Sequence, residues 1–184
     1  MMDTGTFNIN NVLQANLNPF TKNKRQLAYK GVYFREGDKV MQIKNNYDIT
    51  FTKDNGETGS GIFNGDVGYI IDIDIRGGVL RVRFDDRVVT YFAEDLQELE
   101  LAYAVTVHKS QGSEYDYVII PLCDVPSRLV YRNLLYTAVT RAKKMLILVG
   151  EESLWYAMAE NDRKTLRYTA LQKFLKDNAF NEYF

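Results

Sequence analysis

Apolar and polar positions alternate differently in three successive stretches of the chain. Near the N-terminus, four apolar residues recur at helical spacing: Ile9, Val12, Leu13 and Leu17. Pro19 follows them as a stop signal, so the pattern predicts a short amphipathic helix over residues 7–18. A polar linker over residues 21–26 comes next.

From Val32 onward, short strand-like runs alternate with turn signals. These runs cover residues 39–43, 67–75, 79–84 and 88–92. Gly77-Gly78 and Asp85-Asp86 are two-residue connections typical of β-hairpins. Residues 52–61 are polar and glycine-rich, which predicts a mobile loop. The whole stretch indicates a small β-barrel, and we expect its ends, near Tyr33 and Leu99, to lie close together, as an inserted domain requires.

After Leu99 the pattern becomes that of a layered α/β domain. Strand-length apolar runs cover residues 101–107, 117–122 and 145–149. Helical periodicity covers residues 127–142, 151–158 and 165–176. The order of strand, loop, strand, helix and strand predicts a parallel sheet.

Composition narrows the class of protein. Of the 184 residues, 46% are hydrophobic, which is enough to bury a core. The longest apolar runs fall far short of the roughly 20 residues that a membrane helix needs. The single cysteine, Cys123, and the single histidine, His108, exclude an internal disulfide and a cysteine-based or multi-histidine metal cluster. We therefore expect a cytoplasmic protein that binds no metal through this segment.

Charge is distributed unevenly along the chain. Residues 31–100 carry eight basic and fourteen acidic residues, whereas residues 101–150 carry six basic and three acidic ones. The basic stretch and the basic N-terminus are weak indications of an anionic partner, and ordinary solvated surface charge explains the pattern equally well.

The first segment with chemical character is Thr106-Val107-His108-Lys109-Ser110-Gln111-Gly112-Ser113-Glu114-Tyr115. It follows a predicted strand, where α/β sheets place their ligands. Hydroxyls, an amide and a cation suit phosphate oxygens and sugar hydroxyls, and Gly112 permits close approach of the backbone to a ligand. A polar connection with a glycine turn is the alternative.

The second segment, residues 136–144, has the sequence YTAVTRAKK and ends the predicted long helix. Arg141 at that position could reach across a domain cleft to a nucleotide γ-phosphate, because its planar fork neutralises charge on a transferring phosphoryl group. The alternative is a helix C-terminus that favours cations.

Together the two segments resemble motifs V and VI of superfamily I helicases. Two longer segments are similar to sequences of the RecD branch, which is the exodeoxyribonuclease V alpha chain family. They are AYAVTVHKSQGSEYDYVIIPL and RNLLYTAVTRAKKMLILVG. INNVLQANLNP, REGDKVMQIKNNYD and GIFNGDVGYI resemble the segment after motif IV and the start of that family's inserted SH3-like barrel.

This resemblance implies an α/β fold, namely an incomplete second RecA-like (P-loop NTPase-type) helicase domain with a small SH3-like β-barrel inserted in it. Residues 1–31 and 99–184 would form the RecA-like domain, and residues 32–98 the barrel. Arg141 would be the catalytic γ-phosphate arginine. Gln111, Gly112 and Glu114 would join Arg141 at the nucleotide, and the residues on single-stranded DNA would be Thr106, His108, Lys109 and Ser110.

The chain contains no Gly-Lys dipeptide and therefore no GxxxxGK[ST] phosphate loop. Asp85-Asp86 superficially resembles the acids of a magnesium site, but Arg81 and Arg83 alternate with apolar residues before it, which favours a hairpin. We therefore expect a fragment that is inactive alone, with ATP and Mg²⁺ as cofactors of the full-length enzyme and the Mg²⁺ ligands outside this segment.

The function that the resemblance implies is ATP-dependent, 5′-to-3′ DNA helicase activity in recombination or repair. Single-stranded DNA, the N-terminal RecA-like domain of the same protein and other exodeoxyribonuclease V subunits would be the partners. Two alternatives stay open: the helicase half of a conjugative relaxase, and a non-catalytic nucleic-acid or protein interaction module built on the barrel.

Overall fold

The computed structural model describes residues 5–123 and 125–162. Its first helix, α1 (Thr6–Leu17), confirms the predicted N-terminal helix. The buried side chains of α1 are nevertheless the amides Asn10 and Gln14, while Val12 and Leu17 are exposed. A two-stranded antiparallel hairpin of β1 (Gln26–Tyr29) and β2 (Val32–Arg35) follows α1.

An antiparallel sheet of seven strands makes up the middle of the chain. Its strands are β3 (Lys39–Gln42), β4 (Asn46–Lys53), β5 (Thr58–Ile62), β6 (Val67–Asp74), β7 (Val79–Phe84), β8 (Arg87–Tyr91) and β9 (Leu99–Leu101). They lie in the order β5-β4-β8-β7-β6-β3-β9, and a 3₁₀ helix (Asp95–Glu98) leads into β9. The predicted strands and both predicted hairpin turns of this stretch are confirmed.

The predicted loop over residues 52–61 is wrong, because β4 and β5 form a hairpin there. The glycine content misled the prediction. A Cβ on Gly59 would lie 2.6 Å from the Phe51 ring, so Gly59 makes room for a cross-strand aromatic side chain. The guanidinium of Arg87 lies over the same ring, 5.7 Å from the Phe51 ring centroid.

The first and last strands of the sheet are neighbours, since β3 pairs with β9 and the amide of Ala102 donates to the carbonyl of Lys39 at 2.8 Å. β5 and β9 stand at the two ends of the strand order, and the described residues show no pairing between them, so closure of the barrel stays a prediction. The sheet includes residues 99–101 and leaves out β2. The boundaries of the inserted domain at residues 32 and 98 stay a prediction.

A parallel pair of strands follows, as the sequence predicts. β10 (Tyr115–Leu122) pairs with β11 (Ala142–Gly150), and the connection contains a 3₁₀ helix (Ser127–Leu129) and α2 (Arg132–Val139). α3 (Glu152–Glu160) packs against α2 and confirms the predicted helix after β11. The helix predicted over residues 165–176 lies outside the described residues.

Two predictions for this part need correction. The strand predicted over residues 101–107 ends at Leu101, because beyond it both backbone groups of Ala104 bond the side chain of Asn10 on α1 instead of another strand. The helix predicted over residues 127–142 is interrupted after its first turn and ends at Val139. Arg141 therefore lies just past α2, in the step into β11.

The hydrophobic core belongs to the seven-stranded sheet. Its thirteen buried residues are Phe34, Val40, Ile62, Ile70, Ile73, Leu80, Val82, Phe84, Val89, Tyr91, Leu96, Leu99 and Leu101. Alternation along β6, β7 and β8 points the core residues of those three strands to one face. No helix within residues 5–123 and 125–162 is long and apolar enough to cross a membrane.

Candidate functional site

Residues 106–113 form a series of tight turns. The amide of Ser110 donates to the carbonyl of Thr106 at 3.1 Å, and the amide of Ser113 donates to that of Ser110 at 3.1 Å. The Thr106 hydroxyl accepts from the amide of Lys109 at 3.3 Å. The Ser110 hydroxyl is buried and donates to the carbonyl of Val107 at 2.8 Å. Local bonding thus holds this segment without a strand.

The turns leave a group of predicted site residues exposed to solvent: His108, Gln111, Gly112 and Glu114. Gly112 has φ +85°, a left-handed conformation that favours glycine. A Cβ there would meet nothing within 4 Å, so the glycine is required by the backbone conformation and leaves open space beside it.

Arg141 reaches from the end of α2 to the turns. Its Nη1 donates to the carbonyl of Ser113 at 2.9 Å, and its Nε donates to the carbonyl of Thr137 at 3.0 Å. Its Nη2 bonds the Thr140 hydroxyl at 3.2 Å. The amide of Tyr115 donates to the carbonyl of Arg141 at 2.8 Å. These contacts join the two sequence segments into one cluster.

Two ion pairs also connect the segments. Lys143 Nζ lies 3.1 Å from Glu114 Oε2, and Lys144 Nζ lies 2.7 Å from Asp116 Oδ2. All four side chains are about half exposed, so each pair contributes at most about 1 kcal/mol. The guanidinium of Arg141, by contrast, has no carboxylate partner among the described residues.

Lys109 is paired across the surface with an acidic residue of the sheet. Its ammonium contacts the carboxylate of Glu100 on β9. Both side chains are partly exposed and line a small cleft together with Asn10, Val105 and Thr106. The predicted DNA-contacting lysine is therefore partly neutralised by Glu100, a residue to which the sequence drew no attention.

The sequence analysis also missed the residues that support the segment. Asn10 pairs with both backbone groups of Ala104, and Tyr103 donates its hydroxyl to Asp38. A signal existed in the sequence, because Asn10, Gln14 and Asn18 recur every four residues on one face of the helix. Amides at that spacing indicate a buried polar face only when the partner residues are known.

The arrangement suits anions better than cations. Within residues 5–123 and 125–162, no group of three His, Cys, Asp or Glu side chains could hold a metal ion. Arg141 uses three of the five N–H groups of a guanidinium in the contacts described, which leaves donors for a further acceptor. An arginine, an open glycine turn and nearby lysines form a polar surface that can bind phosphate groups.

Two known families match successive parts of the chain. The ATP-dependent RecD-like DNA helicase SH3 domain matches residues 9–84. The UvrD-like helicase C-terminal domain matches residues 101–149, which contain both candidate segments.

Among curated relatives, the ATP-dependent RecD2 DNA helicase of Deinococcus radiodurans is 39% identical over 137 residues, which cover 74% of this chain and 17% of that protein. The RecBCD enzyme subunit RecD of Mycolicibacterium smegmatis is 39% identical over 115 residues, which cover 62% of this chain and 20% of that protein. The chain thus spans about a fifth of the length of these relatives.

A solved structure, Bacteroides Pif1 bound to ssDNA, aligns over 94% of this chain and 43% of the Pif1 chain, with a TM-score of 0.49 and 16% identity. At this level of similarity, the Pif1 structure does not assign the chain to a family. The two family matches and the RecD relatives do assign it, because they cover both the sheet and the segments of the candidate site. The chain belongs to the family of RecD-like DNA helicases.

Proposed function

We propose that this chain supplies the γ-phosphate arginine and part of the single-stranded DNA track of an ATP-dependent helicase of the RecD type that moves 5′-to-3′. The observation that carries the proposal is the bond from Arg141 Nη1 to the carbonyl of Ser113 at 2.9 Å. It brings the arginine and the turn segment into one cluster, as a shared nucleotide site requires.

Arg141 suits this role because hydrogen bonds position its guanidinium while no carboxylate among the described residues neutralises its charge. Its anchors are two backbone carbonyls and one hydroxyl, all neutral acceptors. Charge on the guanidinium therefore remains available for a phosphate, and the anchors restrict the orientations of the side chain. Positioning of this kind is the main contribution of a protein to phosphoryl transfer.

Gln111, Gly112 and Glu114 are the proposed companions of Arg141 at the nucleotide. The exposed turn at Gly112 allows a ligand to approach the backbone, and Glu114 would lie near the ribose. ATP would be the substrate. The described residues offer no magnesium cluster, and we propose that the N-terminal RecA-like domain of the same protein supplies the Mg²⁺ ligands and the phosphate loop.

Thr106, His108, Lys109 and Ser110 are the proposed contacts to single-stranded DNA. Contacts to phosphates position a nucleic acid without reading its sequence, so we expect binding that is sequence-independent and salt-sensitive. When DNA binds, the ammonium of Lys109 would contact a phosphate in place of the carboxylate of Glu100. Ser110 would have to turn its hydroxyl away from the carbonyl of Val107, because phosphate oxygens only accept hydrogen bonds.

We further propose that the protein acts in DNA recombination or repair, in association with other exodeoxyribonuclease V subunits. The support is a relative's name: the 39% identical Mycolicibacterium smegmatis protein is a RecBCD enzyme subunit. The RecD2 helicase of Deinococcus radiodurans, which is also 39% identical, is not named as a subunit of that enzyme.

The test compares Arg141→Ala with Lys109→Ala in a helicase polypeptide that includes this chain. We expect Arg141→Ala to lower the kcat of DNA-stimulated ATP hydrolysis by about 10³-fold or more and to spare DNA affinity. We expect Lys109→Ala to weaken binding to oligo(dT) and to flatten its salt dependence by about one phosphate contact.

Two results would contradict the proposal. Near-normal turnover in the Arg141→Ala protein would make that arginine a helix-end residue, worth under about 1 kcal/mol of stability. Unchanged salt dependence in the Lys109→Ala protein would remove the lysine from the DNA track.

A further inference from the structure

A buried polar joint connects α1, the seven-stranded sheet and the turn segment. We define it by five residues: Asn10, Gln14, Asn18, Asp38 and Tyr103. Asp38, which precedes β3, is completely buried. The three amides lie on one face of α1 and its C-terminal cap, at a spacing of four residues, and all three are buried.

Asp38 is the centre of the joint. Its Oδ1 accepts from Asn18 Nδ2 at 2.7 Å and from the Tyr103 hydroxyl at 2.8 Å. Its Oδ2 accepts from Gln14 Nε2 at 2.6 Å and from the amide of Arg35 at 2.7 Å. Four donors thus satisfy a buried carboxylate, which would otherwise be strongly destabilising.

Asn10 makes the second connection. Its Nδ2 donates to the carbonyl of Ala104 at 2.8 Å, and its Oδ1 accepts from the amide of Ala104 at 2.8 Å. The backbone of Ala104 is therefore fixed at both polar groups, two residues before Thr106. Tyr103 and Ala104 together carry the connection from the joint to the proposed DNA contacts.

Backbone hydrogen bonds also fix the main chain that carries Asp38. The preceding residue, Gly37, has φ +86°, and its amide donates to the carbonyl of Ile70 at 2.8 Å. The amide of Ile70 in turn donates to the carbonyl of Asp38 at 2.9 Å. The main chain at Gly37 and Asp38 is thus held by β6 at Ile70, a buried residue of the core.

We propose that Asp38 and Asn10 are positioning residues that set the approach of residues 106–110 to single-stranded DNA through Tyr103 and Ala104. This inference rests on the proposed function of that segment. A polar joint serves such a role better than an apolar contact because hydrogen bonds fix direction as well as distance, and because a partly satisfied network is costly.

The state of Tyr103 agrees with this role. Burial, followed by the bond to Asp38, raises the pKa of the Tyr103 hydroxyl above its usual range. Tyr103 therefore remains a donor to Asp38 throughout the neutral range.

The experiment compares Tyr103→Phe with Tyr91→Phe in the same polypeptide. Each substitution removes one hydroxyl that donates a 2.8 Å hydrogen bond, to Asp38 in the first case and to Gln42 in the second. Only the first touches the joint. Amide hydrogen exchange over residues 104–111 and affinity for oligo(dT) are measured for both, with Lys109→Ala as the DNA-binding control.

For Tyr103→Phe we expect roughly three- to tenfold faster exchange over residues 104–111 and a weakening of oligo(dT) binding of similar size, the effect of losing one buried hydrogen bond. The salt dependence should not change, since no phosphate contact is removed. Tyr91→Phe should leave both quantities unchanged. Asn10→Ala, which removes both bonds to Ala104, should act in the same direction as Tyr103→Phe.

Equal exchange over residues 104–111 in the two tyrosine variants would overturn the inference, and so would faster exchange without loss of affinity while Lys109→Ala still weakens binding. If Lys109→Ala itself has no effect on affinity, the proposed DNA track is wrong, and the inference falls with it.

Discussion

The two halves of this molecule bury their apolar residues very differently. In the seven-stranded sheet, Ile73, Leu80, Val82 and Val89 are completely buried. In the β10–β11 pair, one face carries five exposed apolar side chains: Tyr117, Ile119, Met145, Ile147 and Val149. The registers Tyr117↔Met145 and Ile119↔Ile147 place these residues side by side.

We infer from this difference that the part of the molecule that stabilises the fold is distinct from the part that carries the candidate site. The sheet has a closed core and a series of antiparallel ladders, whereas the candidate site lies on the less buried half. Arg141 and the turns at residues 106–113 depend on local bonds and on the buried polar joint. We therefore expect the sheet to hold the site in place and to set the stability of the whole.

The largest contrast is expected from matched truncations in the two halves. Ile73→Ala removes a side chain with no exposed surface and should lower the free energy of unfolding by about 2–5 kcal/mol. Ile119→Ala removes one that is 64% exposed and should change it by less than about 1 kcal/mol. Urea unfolding of both variants measures the contrast, and equal losses would show that the β10 face is covered in solution.

The next effect concerns alkaline pH. Burial, and then the charge of Glu98, raises the pKa of the Tyr91 hydroxyl far above its usual range. Its contribution to stability is fully present below the unfolded pKa of about 10, and it is lost as pH rises above that value, because only the unfolded chain ionises. The loss should be about 1.4 kcal/mol per pH unit.

Tyr91→Phe should flatten the fall of the unfolding free energy between about pH 10 and 11. Tyr136→Phe, which changes a 67% exposed side chain of α2, is the control and should keep the original slope. Identical slopes in the two variants would mean that Tyr91 ionises in the folded protein.

The smallest effect on stability is expected at Glu100. Glu100→Gln breaks a partly exposed ion pair with Lys109 and should cost less than about 1 kcal/mol. It should raise the affinity for oligo(dT), because the ammonium of Lys109 no longer has a carboxylate partner there. Glu57→Gln, which breaks the exposed pair with Lys53, is the control and should leave affinity unchanged. An unchanged affinity in both variants would show that Glu100 does not compete with DNA.

Local patterns predicted most of the elements but not their packing. α1, the hairpins at Gly77-Gly78 and Asp85-Asp86, and the parallel β10–β11 pair follow from periodicity and turn chemistry. The β4–β5 hairpin could not be predicted, because Gly59 is a glycine in order to leave room for the ring of Phe51 on the other strand. That requirement depends on a tertiary contact, which a glycine-rich sequence does not reveal.

The candidate site shows the same division. The two sequence motifs predicted which residues form the candidate site, and the structure brings Arg141 to Ser113. The motifs did not predict the roles of Asp38 and Asn10. Those roles depend on hydrogen-bond partners that lie 65 and 94 residues away in the sequence. The apolar stripe on α1 was also misleading, since tertiary hydrogen bonds bury the amide face instead.

The measurement that tests the central claim most directly is the kcat of Arg141→Lys for DNA-stimulated ATP hydrolysis in a helicase polypeptide that includes this chain. The substitution keeps a positive charge at the end of α2 but removes the planar fork that bonds Ser113 and Thr137. The account predicts a loss of about 10³-fold or more, with oligo(dT) affinity unchanged. A kcat close to that of the unsubstituted protein would contradict it, because a charge at a helix end would then be sufficient.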